Sequence, residues 1–300
     1  MSEFTPRHAF LLVLLTLCWG LNWPIMKLGA TNFPPLTFRT ISMWLGLPLI
    51  AAVLFWARQP WRIPRRHWRE LLWLTVTNML VWHVVAILAV RVLSSGRAAI
   101  LGYTMPIFSV LWGLAFFGQR LTARHWLGVS AAALGVALLL WNEFGRMAGQ
   151  PLGALGMLGA AACWALGTQQ LRRTRIDVPT LTIAFWMTVL TTIAMTLLCV
   201  AFEHDKWVRP TPAVGLAIVY NAVLIFGFAQ PAWFFLARTL PPIASTVSVM
   251  MIPVLGTFSG AWWLGEVLQW QDWAAMGLMM VAIATVLWPA RAEVPALMQE

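Results

Sequence analysis

The chain has 300 residues, of which 60% are hydrophobic and 10% charged, with a mean hydropathy of +0.76 and a formal net charge of +10. A soluble domain carries about a quarter charged residues, so a water-covered globular surface is excluded, and the sequence reads as an all-α polytopic membrane protein. The positive charge sits mostly in the connections between apolar runs, which suits membrane topology rather than nucleic acid.

A spanning helix needs about 20 apolar residues. Such windows fall near 8–28, 35–56, 71–90, 95–117, 124–141, 153–170, 179–201, 212–236, 243–264 and 270–288. The first follows Arg7, as a signal peptide would, but it is too long for one and contains Trp19, Asn22, Trp23 and Pro24. It also lacks a small-x-small cleavage site close behind it, so it is expected to remain as the first helix. The runs are continuous rather than alternating, which disfavours barrel strands. Ten transmembrane helices with short connections are the expectation. Cys18, Cys163 and Cys199 lie inside apolar runs without metal-ligand spacing and read as packing thiols; no metal or other cofactor is expected.

Basic residues orient the chain. With the N-terminus inside, cytoplasmic segments hold 13 Lys and Arg, including the cluster at 58–69, against 6 on the opposite side. Arg39 falls just within the second helix and reads as an interfacial or packing residue. Both termini are therefore expected in the cytoplasm.

The sequence also repeats itself. Residues 93–126 align without a gap on residues 240–273, placing Pro106 on Pro253, Gly113 on Gly260, Gly118 on Gly265 and Trp126 on Trp273. Cys18-Trp19 matches Cys163-Trp164. Two units of five helices follow, 1–147 and 148–300. Five is odd, so the second enters the membrane from the opposite side, and the loops agree: Arg120, Arg124 and His125 face Val267, Gln271 and Asp272. Inverted repeats place a substrate site at their interface near the midplane.

These segments resemble a known family. "LCWGLNWPIMKLG" (17–29) resembles the first-helix motif of the drug/metabolite transporter superfamily, EamA type, and "PLTFRTISMWLGLPLI" resembles its second helix, with Arg39 on the recurrent arginine. Pro253, Gly265 and Glu266 are similar to its "P…GE" signature, whose first copy carries Gln119 in place of the acid. Within the family, the length and tryptophan content are similar to YddG-type exporters of aromatic amino acids. The resemblance implies ten helices in a bacterial inner membrane and outward movement of such solutes.

The candidate substrate-binding residues are Trp19, Asn22, Asn78, Trp82, His83, Tyr103, Trp164 and Gln230. Every carboxylate falls in a loop, a tail or a helix end, whereas proton-coupled carriers commonly keep one inside the membrane. An uncharged pathway for a net-neutral solute, facilitated rather than proton-coupled, is the consequence drawn. His83 lies mid-helix, and its repeat counterpart is Gln230; it reads as a pathway residue or as a packing histidine on a backbone carbonyl. Trp19 and Trp164 are counterparts whose indole N–H groups need partners in lipid, from a polar cavity or from neighbouring helices. Asn22, Asn78, Trp82 and Tyr103 are either substrate contacts or interhelical hydrogen-bonding groups, Tyr103 at an expected bend before Pro106. Trp56, Trp61, Trp68, Trp73, Trp207, Trp270 and Trp288 sit near helix ends as interface anchors.

The expected function is export of small amphiphilic metabolites, chiefly aromatic and other neutral amino acids, by alternating access. Export of other metabolites or drugs such as organic cations is an alternative within the class, and an intramembrane enzyme is the alternative outside it. Walker A, GxSxG and HExxH patterns are missing, so an enzyme is not expected. The partners expected are a small-molecule substrate and the lipid bilayer, in a monomer or weak homo-oligomer.

Overall fold

The computed structural model describes residues 6–118, 122–145, 150–233 and 242–287. Among these the chain is helical, without strands. In chain order the helices are α1 (Pro6–Asn32), α2 (Pro35–Trp56), α3 (Arg65–Val92), α4 (Ser95–Phe117), α5 (Ala123–Gly145), α6 (Pro151–Leu171), α7 (Thr180–Glu203), α8 (Pro212–Trp233), α9 (Pro242–Leu264) and α10 (Trp270–Leu287). Among the described residues 8 helices, α1 to α8, are long and apolar enough to cross a membrane, and Met251–Leu264 adds a shorter apolar stretch in α9. Arg120, Arg146, Arg238, Arg291 and Trp288 lie outside the described residues.

Local chemistry sets where the helices start and stop. Pro34 and Pro179 stand at the N-caps of α2 and α7, where a missing N–H costs nothing. Ser94 and Thr211 cap α4 and α8 through side chains that accept from the N–H of Arg97 and Val214. The segments Ser95–Phe117 and Pro242–Leu264 run out at Gly118 and Gly265, whose φ values of 63° and 66° lie in the left-handed region that suits glycine. Helix α4 breaks at Tyr103–Thr104, just ahead of Pro106, as the sequence led us to expect.

The helix pairing has a pattern. Helix α1 packs on α8 and α9, while α6 packs on α3 and α4; α2 meets α8, and α7 meets α3. Replacing each helix by the one five places along exchanges these pairs. Helices α2 with α7, α4 with α9 and α5 with α10 pair with their own counterparts. The main core runs through α1–α4 and on to α10, with Phe38, Phe226, Met43, Ile87, Ile100 and Leu101 almost fully buried. Of the expected interface anchors, Trp56, Trp61, Trp73, Trp207 and Trp270 are exposed, and Trp68 packs on Trp186 with ring centroids 5.4 Å apart.

Candidate functional site

Two helices carry an irregularity at matching places. In α3 the residues Val76–Leu80 form a π-helical turn, and in α8 the residues Asn221–Ala229 do so. A π turn adds a residue and disturbs the i→i−4 ladder, and such turns are frequent at functional sites. Gln230 follows the second turn directly, and His83 stands three residues after the first. The contacts they make are reciprocal: the His83 ring lies 5.6 Å from the Phe226 ring, and Gln230 Nε2 lies 3.7 Å from Met79 Sδ. Positions 79 and 226 are themselves repeat counterparts, in the register that joins 83 to 230. His83 is buried, and neither of its ring nitrogens has a hydrogen-bond partner. Gln230 borders a cleft between α2, α7 and α8 lined by Ile50, Leu181, Ala184 and Thr188.

Next to His83 along α3, Trp82 meets Trp164 of α6 edge to face, with ring centroids 5.4 Å apart. Trp23 and Tyr103 form a second edge-on pair at 6.5 Å. The two pairs converge on Gly102, where an added Cβ would stand 3.1 Å from both Trp23 and Trp82. Asn78 donates weakly to Thr168 Oγ1 at 3.4 Å, and Gly167 of α6 fits against it so closely that a Cβ would lie 2.8 Å from its backbone N. Trp19 stands apart, 5.6 Å from Trp233 of α8. The Trp82–Trp164 and Trp23–Tyr103 pairs thus meet at Gly102, His83 turns to Phe226 of α8, and Trp19 joins a different aromatic contact from its counterpart.

A buried polar group that the sequence reading did not assign to the site lies between α1, α2 and α8. Arg39 is 2% exposed, covered where α2 packs against α8, so of the two readings, interfacial or packing, the structure matches packing. Its Nη1 donates to Asn221 Oδ1 at 3.3 Å, its Nη2 contacts Met26 Sδ, and its guanidinium lies 5.8 Å from the Phe226 ring centre. Asn22 Nδ2 approaches the same Met26 sulfur at 3.7 Å, and Asn22 Oδ1 is unpaired. A guanidinium is therefore buried between α1, α2 and α8. Trp23, Asn221 and Phe226 also escaped the sequence reading; the Asn221 signal was available, as a lone amide within an apolar run.

Polar contacts tie the helices together at one end of the bundle. Glu266 accepts from Ser95 N and Ser95 Oγ, both at 2.7 Å, joining α4 to the end of α9. Lys27 Nζ donates to the carbonyls of Arg91 and Leu93, each at 2.8 Å. Arg97 is buried with Glu143 and with Asp272, whose Oδ1 accepts from Arg97 Nε at 2.6 Å. Glu203 closes the N-terminus of α2, accepting from Leu36 N, Thr37 N and Thr37 Oγ1. These four carboxylates occupy helix ends and connections, as the sequence led us to expect.

The arrangement has known relatives. The sequence matches the EamA-like transporter family over residues 7–141 and again over 151–288. The uncharacterized inner membrane transporter YedA of Escherichia coli (strain K12) is 25% identical over 95% of this chain and 94% of its own. A probable amino-acid metabolite efflux pump of the same organism is 27% identical over 54% of this chain and 52% of its own. A solved crystal structure with 20% identity covers 94% of this chain and 96% of that one at a TM-score of 0.67, a likeness of fold. Two matches that between them take in most of the sequence, on a bundle of apolar helices, fix the descent: the chain belongs to the EamA-like transporter family and is a multi-pass membrane transporter, not an enzyme.

Proposed function

We propose that this protein exports aromatic and other neutral amino acids across a bacterial inner membrane, by alternating access through ten helices arranged as two inverted repeats, 1–147 and 148–300. Both termini face the cytoplasm in this reading, so the end tied by Glu266, Lys27 and Arg97 faces outward. The observation that carries the substrate class is the aromatic wall beside His83, where Trp82 and Trp164 meet at 5.4 Å. Such a wall favours planar apolar side chains, while the unpaired imidazole and amides offer hydrogen bonds to a polar headgroup.

The exchange pattern of helix contacts and the matching π turns support the inverted arrangement. The departure from symmetry is equally informative. Trp164 meets α3 at Trp82, whereas Trp19 meets α8 at Trp233, the counterpart of Ala86 and so one turn further along. Oppositely oriented repeats held in different conformations are how such a carrier closes one end while the other opens. The helix-end placement of the described carboxylates supports facilitated rather than proton-coupled movement.

Counterflow into proteoliposomes containing only this protein, run with each of the twenty amino acids, tests the reading. Phenylalanine, tyrosine and tryptophan are expected to exchange fastest. Exchange of organic cations with no exchange of any neutral amino acid would overturn it.

A further inference from the structure

Arg39 poses a question that helix packing does not answer. A buried guanidinium is costly in a low-dielectric interior unless a counter-charge accompanies it, and among the described residues no carboxylate forms an ion pair with it. Its neighbours are the neutral amide of Asn221, the Met26 thioether and the face of Phe226. Asn221 lies nine residues beyond Pro212 in α8, about 14 Å along the helix, so the group is well inside the bundle.

The hydrogen-bond pattern around the guanidinium is lopsided. Nη1 has a proper acceptor in Asn221, but Nε has none, and Nη2 has only a sulfur. Nε and Nη2 are the two donors of one planar edge, the fork that matches a carboxylate bidentately. A thioether is a weak acceptor that a carboxylate displaces readily. Beside the same sulfur stands Asn22, with its Oδ1 unpaired and its side chain buried. An amide oxygen accepts from an ammonium. A guanidinium edge with a free Nε and only a thioether on Nη2, beside an amide with a free Oδ1 whose Nδ2 reaches the same sulfur, complements the two ends of an α-amino acid headgroup.

We infer that the Nε/Nη2 edge of Arg39 is the subsite for a substrate carboxylate and that Asn22 Oδ1 receives the neighbouring ammonium. The inference rests on the transport reading and narrows it: the carboxylate becomes the required feature, and cations without one are rejected by the guanidinium. Phe226 lies against both Arg39 and His83, 5.8 Å from the guanidinium and 5.6 Å from the imidazole ring, so this carboxylate subsite adjoins the groups that follow the π turn of α3. The ligand class is therefore zwitterionic α-amino acids, with the aromatic wall choosing among them.

The experiment is counterflow in proteoliposomes with five labelled probes: phenylalanine, phenylalaninamide, phenethylamine, 3-phenylpropionate and alanine. The unaltered protein should exchange phenylalanine at least tenfold faster than phenylalaninamide or phenethylamine. Arg39→Lys, which keeps the charge and loses the fork, should reduce phenylalanine exchange about tenfold, and Arg39→Met should abolish the preference for the carboxylate. Asn22→Ala should weaken phenylalanine exchange while leaving 3-phenylpropionate exchange unchanged. Equal exchange of phenylalanine and its amide by the unaltered protein overturns the inference without any variant having to fold. Exchange of alanine but of no aromatic probe would keep the carboxylate subsite and overturn the aromatic reading, whereas exchange of phenethylamine alone would overturn the carboxylate subsite and amino-acid export together.

Discussion

Removing the Glu266 carboxylate should open the tied end of the bundle by a calculable amount. Glu266 accepts two hydrogen bonds from Ser95, at 2.7 Å each, and Ser95 is fully buried. A charge-assisted hydrogen bond is worth about 1.5–3 kcal/mol; Glu266 is only half-buried, so the lower figure applies, roughly 3 kcal/mol for the pair. If the two bonds exist only in the outward-closed state, Glu266→Ala shifts the closed-to-open ratio about 100-fold, at 1.4 kcal/mol per factor of ten. Thr257 reports on this shift: it is 1% exposed and lies against Gly96 below the Ser95–Glu266 contact. Thr257→Cys, in a background with Cys18, Cys163 and Cys199 replaced by alanine, should react slowly with an impermeant maleimide added outside. Adding Glu266→Ala should raise that rate by one to two orders of magnitude, and Glu266→Gln, which keeps an acceptor, by less. An unchanged rate in both would refute the assignment of this contact as the outer closure.

Asp272→Ala strips Arg97 of one of its two buried acids, and breaking such a pair costs about 3–5 kcal/mol; the melting temperature in detergent should fall by about 10 °C, and a fall under two degrees would contradict the burial argument. His83→Ala and Trp164→Ala should reduce aromatic exchange with membrane abundance near normal, while Trp288→Ala, outside the described residues, should affect insertion rather than selectivity; the reverse pattern would displace the site from the bundle centre. An imposed pH gradient should drive no accumulation above equilibrium, and uphill aromatic uptake under that gradient would refute the facilitated mechanism. Cysteines at positions 65 and 205 should label from opposite sides of the membrane; labelling from the same side would refute the orientation.

The apolar spans were legible because each run is continuous and nearly all lie close to the windows read from hydropathy. The clearest difference is at α3, which starts at Arg65 rather than near 71, because Arg65–His67 already winds as a short 3₁₀ turn ahead of Trp68. Counterpart positions were legible too: register alone pairs His83 with Gln230, whose contacts are reciprocal. What sequence could not give was lateral placement. Arg39, five residues into a helix, reads by position as interfacial or packing, and only the approach of α8 decides for packing. Trp19 and Trp164 are equivalent by motif, but their neighbours differ by a helical turn, because the repeats share a pattern rather than a conformation. The π turns left no compositional trace that a 3.6-residue period would register.

The central claim is one site shared by two oppositely oriented repeats and reachable from either face in turn. A single cysteine at Gln230, in the cysteine-free background, tests it with a small impermeant thiosulfonate reagent added to one side at a time. Modification is expected from each side, slowed at least several-fold by phenylalanine in both cases and accelerated from outside by Glu266→Ala. Modification from one side only, or equal rates with and without phenylalanine, would contradict it.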